Sequence, residues 1–144
     1  MSRCLDPNAR PDFLVAASLL ISHKVLETVG YLDESYFLYY EDADYCLRAR
    51  GAGFQIAQSP LSVVHHTLSS TTSSNLFLRG YYLGNSAVRL VRTYSSSPRL
   101  SGARLMFRQL HNFVRLGQWL QLFGHCAGVW DAFRGKHRRG WTTL

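Results

Sequence analysis

Acid is almost missing from the back of this chain. After residue 66 the one carboxylate side chain is Asp131, set against eleven Lys and Arg, so residues 67–144 carry a formal charge of +10. Residues 1–66 hold eight acids and five bases, a net of −3, and the 144-residue whole stands at +7. This segregation predicts two surfaces with different partners. Cysteine is scarce and odd in number: Cys4, Cys46 and Cys126 lie far apart. That argues against a disulfide framework and fits a reducing compartment, and no Cys/His spacing resembles a structural zinc site. No apolar run reaches the roughly 18–20 residues that span a bilayer. The first eight residues lack the apolar core of a secretory signal. There are no internal repeats. With 47% hydrophobic and 17% charged residues the chain reads as globular, one domain or part of one, and long enough to bury a core.

Residues 1–12, with two prolines, read as loop. Residues 13–21, Phe-Leu-Val-Ala-Ala-Ser-Leu-Leu-Ile, form a continuous apolar run of strand length, with a short buried helix as the alternative. Ser22 can cap a short helix that buries Val25, Leu26 and Val29 and ends at Gly30. Phe54–Gln58 alternates as a half-buried strand does, Pro60 breaks it, and residues 61–65 form another short strand before His65-His66. A Ser/Thr-rich loop follows. Asn75 can cap a helix that reaches the break at Ser95–Pro98. A second helix is expected from about Leu100 to Phe123, interrupted near Gly117, and a third near residues 126–134, stopping at Gly135. The basic helices interleave Arg99, Arg104, Arg108 and Arg115 with Phe107, Phe113, Trp119 and Phe123. Such a pattern suits an anionic membrane surface, or equally an apolar face packed on the domain with wet arginines. Nucleic acid is not expected, because no nucleic-acid motif accompanies the charge.

The chemistry-bearing stretch is Tyr36-Phe-Leu-Tyr-Tyr-Glu-Asp-Ala-Asp-Tyr-Cys-Leu-Arg-Ala-Arg50. Glu41, Asp42 and Asp44 belong in the first turn of a helix, and Arg48 and Arg50 in its last, as the helix dipole favours. Carboxylates this close repel, which raises a pKa and can make a base. The plainer reading is a solvated acidic helix start.

The string Val29-Gly-Tyr-Leu-Asp-Glu-Ser-Tyr-Phe-Leu-Tyr-Tyr-Glu-Asp-Ala-Asp-Tyr-Cys-Leu-Arg-Ala-Arg50, with Gly53-Phe54, Pro60 and Val63-Val64-His65-His66 after it, resembles the C-terminal half of a GT-A-fold family 2 glycosyltransferase of the rhamnosyltransferase-like and galactofuranosyltransferase-like group. Tyr81-Tyr82-Leu83-Gly84-Asn85 is similar to that group's Tyr-Tyr-x-Arg-Asn element, with Gly84 in place of the arginine. Residues 128–136 resemble its closing helix. The resemblance implies an α/β fold: a partial GT-A domain over 1–74, followed by a basic helical extension over 75–144. It implies inverting transfer from a nucleotide-diphospho-sugar, UDP- or dTDP-linked, to a glycan or lipid-linked acceptor in cell-surface polysaccharide or glycolipid synthesis.

On this resemblance Asp42 is the general base and Glu41 orients the acceptor or tunes Asp42. Tyr39, Asn85, Asp44 and Arg48 fall on the substrate side, with a local Asp44–Arg48 ion pair as the competing role. His66, or else His65, would be a ligand to Mn²⁺ or Mg²⁺; on spacing alone the His-His pair reads as structural. The expected location is the cytoplasm, peripheral at the inner face of the membrane. No counterpart of the family's donor-binding strands and Asp-x-Asp motif precedes residue 13. The chain is therefore expected to be an acceptor-side portion, weakly active or inactive alone, completed by another segment or a second copy. The alternative is a non-catalytic, membrane-associated or partner-binding module.

Overall fold

A computed structural model describes residues 11, 13–59, 61–65 and 75–136. Among these the regular elements are a 3₁₀ turn, Ala16–Ser18, and five α-helices: α1 His23–Val29, α2 Glu41–Gly51, α3 Leu76–Tyr94, α4 Pro98–Arg115 and α5 Trp119–Phe133. The described residues contain no strand, so the expected α/β class is overturned: they are all-helical and irregular. The apolar run at 13–21 bends into the 3₁₀ turn. Phe54 and Ile56 are half-buried between exposed Gln55 and Ala57, so the side-chain alternation is real, yet no ladder forms. The physical reason is that a strand is not a local element. Its N–H and C=O groups need a neighbouring backbone, and none of the described residues supplies one.

The chain divides into two compact units. One comprises Met1–Asp33 and Glu41–Leu68, the other Glu34–Tyr40 and Ser69–Leu144. In the first, α1 starts after Ser22 and stops at Gly30, whose φ of 81° a residue with a Cβ adopts reluctantly. Ser22 occupies the cap position without a side-chain hydrogen bond. Helix α2 ends in a Schellman motif: Phe54 N–H bonds Ala49 C=O at 3.0 Å and Gly53 N–H bonds Arg50 C=O at 2.9 Å. The same pairing recurs where Gln118 bonds back to Phe113 and Lys136 to Asp131. Gly117 thus separates two full helices, and the short helix expected at 126–134 is the second half of α5.

In the second unit, Asn75 caps α3 by accepting from Leu78 N–H at 3.0 Å, and Pro98 opens α4 where its missing N–H costs nothing. Helices α3 and α5 run parallel and touch along two glycine pairs, Gly80/Gly84 and Gly124/Gly128. A Cβ on Gly80 would strike the Gln121 carbonyl, one on Gly124 the Phe77 carbonyl and one on Gly128 the Tyr81 carbonyl. Only hydrogen at these positions lets the two backbones approach. Asn85 and Tyr81 bolt the seam: Asn85 Nδ2 donates to Gly128 C=O at 3.1 Å, and Tyr81 Oη donates to Asp131 Oδ2 at 2.9 Å. His125 is wholly enclosed in it, tilted against Phe113 with ring centroids 5.6 Å apart. Helix α4 buries Phe113 alone.

Candidate functional site

The segment ahead of α2 is held in an unusual backbone state. Tyr39 and Tyr40 have φ of 67° and 68°, left-handed values that side chains with a Cβ rarely adopt. Such conformations cost of the order of 1–3 kcal/mol each and persist where packing over-determines them. Here the packing is visible within the second unit. Phe37, Leu38 and Tyr39 lie against Leu78, Tyr81 and Tyr82. Tyr40 Oη accepts from Gln109 Nε2 at 2.9 Å, and Leu38 C=O accepts from Ser86 Oγ at 2.9 Å. The strained pair immediately precedes Glu41, the first residue of α2. Composition showed the tyrosines; nothing in the spacing showed that two of them are left-handed.

Helix α2 carries the acids of the first unit. Asp42 uses both oxygens: Oδ1 accepts from Ala43 N–H at 2.8 Å, and Oδ2 from Ala16 N–H at 3.1 Å. A carboxylate oxygen has two lone pairs, so each keeps acceptor capacity. Glu41 differs: its Oε2 is shut away from solvent with no hydrogen-bond partner. Burial raises its pKa above the ordinary carboxylate value, its own backbone N–H offsets part of that, and the neighbouring Asp42 charge adds to the rise. The two acids side by side are therefore inequivalent, one hydrogen-bonded and the other partly desolvated.

Asp44 and Arg48 are engaged with each other. Arg48 Nε donates to Asp44 Oδ2 at 2.8 Å, while its two terminal nitrogens reach Val29 C=O at 2.9 Å and Tyr31 C=O at 3.0 Å. Asp44 is 3% exposed. The guanidinium thus ties the end of α1 and the following turn to α2, the role of a positioning pair. Tyr45 adds a bond from its Oη to Gly30 C=O at 3.0 Å. Tyr39 and Asn85 belong to the second unit. Asn85 is buried there, its amide directed at the Gly128 and Lys136 carbonyls.

His65 is exposed, and His66 and Pro60 lie outside the described residues. Among the described residues no three His, Cys, Asp or Glu side chains come together in a way that could hold a metal ion. By themselves they do not make a metal centre. No described helix is long and apolar enough to cross a membrane.

Neither a family model nor a solved structure matches the chain. Over 54 residues, 37% of its length, it is 42% identical to the low-salt glycan biosynthesis hexosyltransferase Agl10 of Haloferax volcanii, and the matched stretch is 18% of that protein. That similarity is partial, and what it supports is a coarse likeness to glycosyltransferases.

Proposed function

We propose that this chain contributes the acceptor-activating part of an inverting glycosyltransferase that uses a nucleotide-diphospho-sugar. The observation that carries the reading is the Glu41-Asp42 pair, one acid desolvated and the other anchored, in a chain that shares 42% identity over 54 residues with a hexosyltransferase. In the reaction a carboxylate accepts the proton of the acceptor hydroxyl while that oxygen bonds the sugar C1. The C1–O bond to the nucleotide diphosphate breaks, and its electron pair leaves with the diphosphate. Asp42 is the base on family resemblance. Glu41, with its pKa raised by burial, supports it by holding a neighbouring hydroxyl or sharing the proton. Asp44 and Arg48 position the helix. A divalent metal belongs to this reading only with ligands beyond the described residues, His66 among them. A cytoplasmic place at a membrane face, with a glycan or lipid-linked acceptor, completes it.

The first test is calorimetric titration of the chain with UDP and dTDP, with and without Mn²⁺. Micromolar, metal-dependent binding supports a donor site in this chain or an assembly of it. Silence with both nucleotides confines the chain to the acceptor side. Transfer is then assayed in the longer protein or reconstituted assembly. Asp42→Asn should lower turnover at least ~100-fold, the usual scale for losing a general base; unchanged turnover removes the assignment.

A second reading, a non-catalytic membrane-associated or partner-binding module, is favoured by the outer faces of α4 and α5. They expose Phe107, Trp119, Leu120, Phe123 and Trp130. Salt-sensitive sedimentation with anionic vesicles supports it, and absence of such binding removes the membrane form of it.

A further inference from the structure

Between α3 and α4 lies a cleft of about 630 Å³, closed along one side by Val129 and Phe133 of α5. Its volume falls within the roughly 300–1,000 Å³ of small-molecule sites. It exists because α3 and α5 meet backbone to backbone through their glycines, whereas α4 is anchored by the buried Phe113 near its C-terminal end. Val91 of α3 and Leu105 and Met106 of α4 line the gap.

The cleft is polarised. Its two cations, Arg92 and Arg99, flank the short α3–α4 turn, and both are exposed. The turn itself is braced by Ser95, whose Oγ bonds Ser101 Oγ at 2.8 Å and accepts from Ser97 N–H at 3.2 Å. Arg92 is held near the end of α5 by Ala132 C=O at 3.3 Å and by the Phe133 ring, 4.8 Å from its Cζ. Arg99 is in no ion pair with a described residue. Away from the turn the lining is aliphatic and aromatic. Neither α3 nor α4 contains an acid.

We propose that this cleft binds one hydrocarbon chain of an anionic amphiphile, a lipid whose negatively charged headgroup sits against Arg92 and Arg99. Charge selects this occupant. A second copy docked on the same face would bring arginine against arginine with no acid to compensate, whereas an anionic headgroup complements both. The apolar side chains then bury the hydrocarbon and take it out of water. The site is independent of the transferase reading and gives the expected membrane affinity a defined pocket in place of a general surface.

The test is titration calorimetry of the whole chain with dodecyl phosphate below its micelle concentration, beside dodecyl maltoside (the same hydrocarbon without charge) and inorganic phosphate. Dodecyl phosphate should bind once per chain and at least tenfold tighter than either comparator. Arg99→Gln, at an exposed position, should weaken it at least fivefold. Gly102→Leu should abolish it: a Cβ at Gly102 meets only Val91 Cγ1, at 3.8 Å, so the longer side chain grows into the cleft. Equal binding of dodecyl phosphate and dodecyl maltoside overturns the proposal. So does unchanged binding by Arg99→Gln, or a dimer in sedimentation whose formation blocks the probe.

Discussion

A Cβ placed on Gly84 would stand 2.9 Å from Nδ1 of His125. The His125 carbonyl oxygen would stand nearer still, at 2.5 Å, so any other residue at 84 would meet both the backbone and the imidazole of α5, and glycine is what lets α3 lie this near. Where the resembled family carries an arginine at this place, glycine here serves the seam between two helices. Neither nitrogen of His125 makes a hydrogen bond of full geometry; the Gly80 backbone lies near enough to interact only weakly.

That isolation gives the fold a pH dependence. Burial lowers the His125 pKa from 6.5 to about 4, with the Gly80 backbone offsetting part of the effect. Between these values the unfolded chain takes up a proton that the folded chain refuses. Stability is therefore full above pH 6.5 and declines as pH falls toward 4, by up to roughly 3 kcal/mol. Urea midpoints measured across that window should fall with acidity in the parent chain and flatten in His125→Leu. An equally steep decline in the variant would place the proton elsewhere.

Glu41 works in the opposite sense. Its pKa is raised, so the protonated form suits the folded state, and the ionised form is a liability once pH passes the folded-state value. Glu41→Gln should raise the melting temperature at pH 8, with the gain vanishing below pH 4.5, where the acid is already protonated. A variant no more stable than the parent at pH 8 would show that Glu41 is well solvated.

The glycine seam separates two substitutions that look alike. Gly124→Ala drives a methyl into the Phe77 carbonyl, backbone that cannot swing aside. Overpacking of this kind costs about 1–3 kcal/mol, against a gain of about 1 kcal/mol in helix propensity. Gly102→Ala on α4 meets only Val91 at 3.8 Å and keeps the gain. Thermal melts should show the first variant lowered and the second level or raised; the reverse order would mean the α3–α5 approach is looser than described.

Asp44→Ala leaves the Arg48 guanidinium half-buried without its carboxylate, and Arg48→Lys keeps a charge but loses the fork that reaches Val29 and Tyr31. Losing one partner of a buried pair costs about 3–5 kcal/mol. Because Arg48 is partly exposed, the lower part of that range applies. Both variants should lose stability in chemical denaturation. Wild-type midpoints in both would make the pair a surface ornament.

Much of the local structure was legible in residue types. Asn75, Pro98, Gly30, Gly53, Gly117 and Gly135 mark helix ends by capping or left-handed φ, effects settled within a few residues. The acid-then-arginine order of α2 likewise follows from the dipole and from the four-residue spacing that lets Asp44 meet Arg48. The glycine spacing at 80/84 and 124/128 was readable too, as a sign of close helix approach that propensity reading passes over. The strands were misjudged because alternation at Phe54–Gln58 describes side chains, while a sheet needs hydrogen bonds from a second backbone.

By itself, then, the sequence determined where helices start and stop, the segregation of charge, and the adjacency of Glu41 and Asp42, all properties of neighbours along the chain. Only the tertiary structure decided that Glu41 loses its solvent while Asp42 accepts from Ala16, that Tyr39 and Tyr40 are held left-handed, that His125 is enclosed against Gly84, and that α4 leaves an arginine-flanked cleft beside α3. Each depends on which distant backbone excludes water or fills a volume, and no local pattern encodes that.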